Sequence, residues 1–420
     1  MPLSIGYMGT KKQIAPRVAE VAALAPAGPF LDLFSGMCAV ATVAAPKRQV
    51  WCNDVQEFAA CVATAFFTSQ KSPLPPNIAI ELVGEAFEQN KRELTSRFER
   101  ELYLERASWL GGESQIIAIT EEYLPNCARS EEFDRERELL NRNPFTFPYR
   151  LFSITFAGGY FSLQQCIEID SLRYAADSLM QYGTISTEHH RWLILALCQA
   201  LYKVSNSTGH FAQFLKVKER NVTRFVKQRN RSVWHEWKNA LGTIEAVGTE
   251  EWRRYNYAIR SDAISLLKNL STWKTKPAVI YADPPYTQDH YSRYYHVYET
   301  LILYDYPKAT GVGRYRSDRF ISSFSLRTKV SIEIDRLIEG CARLGAELIL
   351  SYPENGLLKD TRQSILSSLK RYFPQRDSYE FSHQHSSLGG SKGYEKRPVT
   401  EIIFRGYFRP TRVITRKRAI

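Results

Sequence analysis

One string constrains this chain more than any other: Ala278-Val279-Ile280-Tyr281-Ala282-Asp283-Pro284-Pro285-Tyr286, an apolar run that stops at an acid, two prolines and an aromatic ring. Entered from the polar Lys274-Thr275-Lys276-Pro277, the run predicts a strand at the centre of a parallel sheet, covered on both faces. A residue that precedes proline is excluded from the helical region, so Asp283 and Pro284 are both held extended, and neither proline donates a backbone hydrogen. The strand therefore ends in a stiff arm bearing a carboxylate, carbonyls without a ladder partner and an aromatic face. It stands where open α/β sheets place their ligands.

Such an arm suits a flat, nitrogen-bearing ring that is gripped by its amino group and stacked upon. A nucleobase meets that description, because enzymes acting on a base swing it out of the helix and hold its pairing edge between apolar or aromatic surfaces. A plain Asp-Pro-Pro turn is the alternative reading.

With 420 residues, 44% hydrophobic and 24% charged, the chain has ample material for a core, in two domains or one domain with a large insertion. The net charge of +12 favours a polyanionic partner, although a generically basic soluble protein carries the same excess. No stretch of eighteen apolar residues occurs and the amino terminus lacks a signal pattern, so the expectation is a cytoplasmic protein without a membrane partner. Cys38, Cys52, Cys61, Cys127, Cys166, Cys198 and Cys341 are scattered without a CxxC pair and read as reduced, mostly buried thiols.

Near the amino terminus, Ile5-Gly6-Tyr7-Met8-Gly9-Thr10-Lys11 is a glycine-punctuated turn with an aromatic ring and a cation, suited to a carboxylate. An ordinary turn is the competing reading. Next, Phe30-Leu31-Asp32-Leu33-Phe34-Ser35-Gly36 is a short strand running into a loop, followed by a helix of small residues. Only Gly36 is present of the three glycines of a dinucleotide fingerprint, and no Walker lysine follows. That argues against a pyrophosphate and for a ligand without phosphate, such as S-adenosylmethionine. The following strand ends at Asn53-Asp54, an acid about twenty residues after the loop, where a ribose hydroxyl is commonly held; a helix cap is the alternative.

These residues, with residues 7–11 first, then Asp32-Leu33-Phe34-Ser35-Gly36, then Asp54, then Asp283-Pro284-Pro285-Tyr286, resemble the Dam-like (alpha-group) adenine-N6-specific DNA methyltransferases. The resemblance covers roughly residues 1–65 and 255–410 and rests on four weak motifs kept in one order. It implies cofactor contacts at Tyr7, Lys11, Asp54 and Asp283, double-stranded DNA as partner, and catalysis at residues 283–286. The chain departs from the family's pattern in its glycine-poor loop and in Thr10, where a second glycine is usual. The role beside a cognate restriction endonuclease, in a phage or in regulation stays open.

Residues 70–250 change character. Pro73, Pro75 and Pro76 mark an exit, after which a long charged helix is expected, with Phe87, Leu94, Phe98 and Leu102 near helical spacing. Residues 131–142 read as a solvated helical face, residues 145–161 as an aromatic loop or hairpin, and residues 192–201 as a core helix. Residues 211–238 hold Lys216, Lys218, Arg220, Arg224, Lys227, Arg229 and Arg231, interleaved with Phe214, Phe225, Trp234 and Trp237. Cations of this kind supply sequence-independent affinity for phosphates, so the stretch is expected to contact DNA, with a solvated basic helix as the alternative. The family's usual Arg-Tyr-Asn and Phe-Asn-Val-Pro block is absent here, so no target sequence carries over.

Asn256-Tyr257-Ala258-Ile259-Arg260-Ser261-Asp262 reads as a strand ending in an acid, and Asp262 is a candidate acceptor for a cofactor adenine amino group or a helix cap. Tyr291, Tyr294, Tyr295 and Tyr298 form a helical stripe that suits core packing, with its first residue or two available to a base pocket. His383 and His385 lack ligand partners, so no metal site is expected, and residues 412–418 form a basic tail.

The expected architecture is α/β: a Rossmann-like S-adenosylmethionine-dependent methyltransferase core with a doubly wound, mostly parallel sheet, built from residues 1–70 and 251–420. Residues 71–250 are the inserted, mostly helical target-recognition region. The expected site is Asp283, Pro284, Pro285 and Tyr286 for catalysis, and Tyr7, Lys11, Asp32, Phe34, Gly36, Asp54, Asp262 and Asp283 for the cofactor. The expected reaction is methylation of adenine N6 in DNA. The rivals are a cytosine-N4 or RNA amino-methyltransferase, since the same grip serves any amino-bearing base, and a DNA-binding relative without turnover.

Overall fold

The computed structural model describes residues 3–7, 11–45, 47–123, 130–385 and 397–409. Seven strands form one sheet: β1 (Phe30–Asp32), β2 (Val50–Asp54), β3 (Tyr257–Arg260), β4 (Val279–Ala282), β5 (Glu347–Pro353), β6 (Gln375–His385) and β7 (Arg397–Tyr407). Their order is β3-β2-β1-β4-β5-β7-β6. The first five are mutually parallel, and β7 runs antiparallel to both β5 and β6. The strand order reverses at β1, which pairs with β2 on one side and β4 on the other. That reversal opens a crevice at the carboxyl ends of the strands.

The burial of both sheet faces follows from the apolar content of the strands. Side chains alternate with period two, so Leu31, Trp51, Ile280 and Leu348 join one core with the helices Ala263–Leu270, Val330–Arg343 and Thr361–Tyr372. Phe30, Val50, Val279 and Ile349 join the opposite core. In Val330–Arg343 the buried Val330, Ile334, Leu337, Ile338 and Cys341 make the stripe expected of a helix lying on a sheet.

The second core extends without a break into the helices of the middle of the chain. Leu163–Gln181 and Thr187–Val204 lie at its centre, each started by a serine whose hydroxyl accepts an amide hydrogen, Ser162 from Gln165 and Ser186 from His189. Three polar ties hold these helices and the segment after them to the second half of the chain. Asp170, fully buried, accepts from the Phe152 and Ser153 amides at 2.9 Å and from the Tyr304 hydroxyl at 2.7 Å. Arg173 donates to the Leu301 and Ile302 carbonyls, and His296 shares a hydrogen bond with the Phe211 carbonyl.

Several local expectations change. The long helix after Pro75 is two, Pro76–Arg97 and Glu99–Leu110, broken at Phe98; all four of its spaced apolar residues are still buried. Residues 145–161 form a loop of turns and not a hairpin, with a bridge between Ala157 and Phe161; Phe145 and Phe147 are exposed, while the aromatic rings from Tyr149 to Phe161 pack into the core. The tyrosine stripe is divided between two short helices, Tyr291–Tyr294 and His296–Leu303. Of the seven cysteines, six are free thiols, five of them buried, and Cys127 lies outside the described residues. The tail at 412–418 also lies outside them, as do Met8, Gly9 and Thr10.

Candidate active site

Three parallel strands deliver carboxylates to the same edge. Asp32 closes β1 and Asp54 closes β2, while Asp283 follows β4 directly, and β1 pairs Asp32 with Cys52 and Tyr281. Between them lies a cavity of about 300 Å³, whose lining includes Lys11, Phe34, Asp54, Asp262, Asp283 and Tyr291.

The loop after β1 is shaped by Asp54 and Gly36. One Asp54 oxygen accepts the Gly36 amide at 2.9 Å and the other accepts the Gln56 amide at 3.0 Å. Gly36 has φ +46°, and a Cβ there would stand 2.9 Å from the Tyr7 ring. Only glycine lets the ring approach so closely in that backbone conformation. Tyr7 in turn stacks on Tyr295 with ring centroids 4.3 Å apart. Asp32 accepts the Ala41 amide with Oδ2 at 3.2 Å, while its buried Oδ1 has no partner among the described residues. Burial pushes the Asp32 carboxyl up to about 8, with the Asp283 and Asp54 charges adding to the effect.

At the arm, the Lys11 ammonium lies 3.1 Å from Asp283 Oδ1 and 2.8 Å from Glu401 on β7, and 4.9 Å from the centre of the Tyr286 ring. Burial alone would lower the Lys11 ammonium; the two carboxylates more than offset it and hold it well above the usual lysine range. For Asp283, burial raises the carboxyl to about 6 against the pull of Lys11, and Glu401 adds to the rise. The Ser351 hydroxyl, itself 2.8 Å from the Tyr281 hydroxyl, donates to Asp283 Oδ1 at 3.3 Å. Both contacts fall on Oδ1, so Oδ2 keeps its acceptor capacity. The Pro284 carbonyl accepts no hydrogen bond among the described residues, while the Tyr286 carbonyl is tied to the Leu357 amide at 3.0 Å. Pro285 lines the cavity, and the Tyr286 ring stands edge-on to Tyr352.

Asp262 lines the same cavity and also caps the helix Ala263–Leu270, its Oδ1 accepting the Ser265 amide at 2.9 Å. Phe34 meets Phe324 edge-on at 5.4 Å. Phe324 belongs to residues 320–325, which cover the cavity from outside the sheet. Sequence reasoning missed that cover and missed Glu401, an ordinary acid in an extended strand. It also missed Asn53, whose amide donates to the Leu33 and Ser261 carbonyls and so joins the loops after β1 and β3.

The basic stretch divides. Lys216, Lys218, Arg220, Arg224, Lys227 and Arg231 are exposed, and Arg220 and Arg224 line a groove with Lys203, Asn206 and Thr208. Arg229 is a correction: it is 3% exposed, donates to the Gly158 and Gly159 carbonyls, and lies against Phe225, so it braces the fold and reaches no external phosphate. The groove adjoins the amino-terminal segment, since a Cβ on Gly6 would meet the Gly209 carbonyl and the Tyr202 ring at 3.0 Å. No group of three or more His, Cys, Asp or Glu side chains is placed to hold a metal among the described residues, and none of their helices is long and apolar enough to cross a membrane.

A mostly parallel seven-stranded sheet, a single-glycine loop after its first strand and an acid-led proline arm after its fourth are consistent with a Rossmann-like methyltransferase fold. Residues 251–351 match the family of D12 class N6 adenine-specific DNA methyltransferases. Among curated proteins, the chain is 26% identical over 178 residues to modification methylase LlaI of Lactococcus lactis subsp. lactis, covering 42% of this chain and 26% of that protein. It is 27% identical over 257 residues to type II methyltransferase M.FokI of Planomicrobium okeanokoites, covering 59% and 33%. To type II methyltransferase M.NlaIII of Neisseria lactamica it is 23% identical over 211 residues, covering 49% and 57%. The alignments thus span less than two thirds of each relative's own length. The match to the adenine-N6 methyltransferase family thus lies in residues 251–351, and for that family a methyl donor and a DNA substrate are implied.

Proposed function

We propose that this protein is a site-specific DNA methyltransferase that transfers a methyl group from S-adenosylmethionine to the N6 amino group of an adenine swung out of duplex DNA. The observation that carries the reading is the arm. Asp283 is held by Lys11 and Ser351 through one oxygen, with its other oxygen and the Pro284 carbonyl left to accept.

An exocyclic amine is a poor nucleophile because its lone pair is delocalised into the ring. Asp283 Oδ2 and the Pro284 carbonyl, each accepting one amino hydrogen, localise that lone pair and aim it into the cavity. Tyr286 stacks on the extruded base, its ring oriented by Tyr352. The nitrogen becomes cationic on methylation and its proton is then acidic enough to leave to water, so no strong base is required of the chain.

The cavity fits the methyl donor. The unmet Oδ1 of Asp32 suits an ammonium, the third proton of Lys11 suits a carboxylate, and Asp54 has acceptor capacity left for ribose hydroxyls after taking two amides. Phe34 and Asp262 are set for the adenine ring and its amino group, and Tyr7 and Gly36 shape the wall between. Bound there, S-adenosylmethionine supplies an electrophilic methyl on a sulfonium.

In this reading residues 71–250 form the target-recognition region, and the exposed cations from Lys216 to Arg231 hold the duplex. The work is done in the cytoplasm, with a cognate restriction endonuclease as the expected companion. The test is to express the protein in a host free of adenine methylation, map modified bases by long-read sequencing, and identify the nucleoside after digestion. N6-methyladenine in one sequence context is the expected result; N4-methylcytosine, or unmodified DNA from a soluble protein, overturns it.

A further inference from the structure

Beside the cavity mouth, two arginines stand without a countercharge among the described residues. Arg293 follows the cavity-lining Tyr291 by two residues on the helix Tyr291–Tyr294, and Arg319 immediately precedes the cavity-lining Phe320. Both guanidinium groups rest against one ring, that of Tyr315, at 5.1 Å for Arg293 and 5.8 Å for Arg319. Arg293 Nε also donates to the Tyr315 hydroxyl at 3.1 Å. The platform is rigid, because that hydroxyl donates to the Ala212 carbonyl and Ser292 donates to the Phe320 carbonyl at 2.7 Å.

Neither arginine forms an ion pair among the described residues, and Arg319 Nη1 is buried with no hydrogen-bond partner. The contrast with Arg316 is direct, since that neighbour is neutralised by Asp305 at 2.6 Å and Asp318 at 2.9 Å. A buried donor left unmet costs free energy unless something outside the chain satisfies it. The positive potential registers on His296, whose imidazole is pushed down to about 3 by burial first, with Arg316, Arg319 and Arg293 each adding to the effect.

We propose that Arg293 and Arg319, braced on Tyr315, form a phosphate clamp that takes the backbone phosphodiester of the nucleotide delivered to the cavity. The inference rests on the proposed function and deepens it. Planar guanidinium forks match phosphate oxygens, and two of them gathered at one ring favour a phosphodiester over an isolated carboxylate. The placement supports this use, because consecutive residues are about 3.8 Å apart and Arg319 is next in chain to a wall of the cavity. A phosphate held there sits beside the extruded sugar, so the clamp fixes the strand while Asp283 holds the base.

The test uses the full chain, S-adenosylhomocysteine and a short duplex bearing the adenine site mapped as above, with affinity measured over a series of salt concentrations. Arg293→Ala and Arg319→Ala should each weaken the complex about tenfold or more and lower the salt slope by roughly one, leaving S-adenosylhomocysteine affinity unchanged. In a second arm, a duplex with one neutral methylphosphonate linkage beside the target should weaken wild type and not weaken Arg293→Ala further. Wild-type slopes in both variants overturn the clamp while leaving the proposed function standing; a wild type that methylates no adenine overturns the function instead. Because Arg293 is exposed, its variant decides the matter even where Arg319→Ala fails to fold. Free inorganic phosphate that competes as well as the duplex does would show a small-anion site and contradict the clamp.

Discussion

Glu401 holds the Lys11 ammonium at 2.8 Å across 390 residues of sequence, and that ammonium is the one that pairs with Asp283 at 3.1 Å. Lys11 is thus shared by two carboxylates, and the charge of Glu401 reaches Asp283 directly as well as through the lysine. Asp283 must be ionised to accept the amino hydrogen, and its carboxyl sits at about 6, so kcat/KM should fall as pH drops through that region. Glu401 raises the Asp283 carboxyl, so Glu401→Gln should move the acid limb of the pH–rate profile to lower pH. An unmoved limb would show that Glu401 serves the fold alone.

Gly36 is required by both its φ of +46° and the Tyr7 ring, 2.9 Å from where a Cβ would stand. Gly36→Ala should cost about 1–2 kcal/mol of stability from backbone strain alone. It should also weaken S-adenosylmethionine binding, because the Gly36 amide is the one held by Asp54. Thermal unfolding and calorimetry read the two effects separately; unchanged cofactor affinity would detach this loop from the ligand.

Arg229 and Arg224 lie on one helix, Val222–Arg229, and should behave oppositely. Arg229→Ala leaves two buried carbonyls unmet and should lose about 2–3 kcal/mol of stability, with the salt slope of DNA binding unchanged. Arg224→Ala should leave stability within about 0.5 kcal/mol and lower the salt slope by roughly one. Denaturant titration alongside salt-dependent binding distinguishes them, and a reversed pattern would contradict the assignment.

Much of the sheet was legible because strand ends carry local chemistry. Asp32 and Asp54 close their strands and Asp283 follows its strand directly, and the structure brings all three to one cavity. Glu401 was not legible: nothing in an acid inside an extended strand signals that antiparallel pairing, with Glu401 opposite Pro353, will lay it beside Lys11. The cover at residues 320–325 was hidden for the same reason, since Phe324 finds Phe34 only through the fold. Arg229 left a usable signal, because it stands four residues after Phe225 and so shares the face that the ring buries. Phe98 marks the limit of periodicity: its spacing fits one helix, yet the chain turns there and buries it between two.

The central claim is that Asp283 grips the amine that receives the methyl group. The most direct measurement is single-turnover methyl transfer to the mapped duplex by wild type and by Asp283→Asn, with S-adenosylmethionine and duplex affinities measured in parallel. Loss of one preorganised acceptor at the reacting centre should slow transfer by about 10²–10³-fold, with N6-methyladenine as the wild-type product and duplex binding retained. Near-normal transfer by Asp283→Asn, with both ligands bound, would contradict the account.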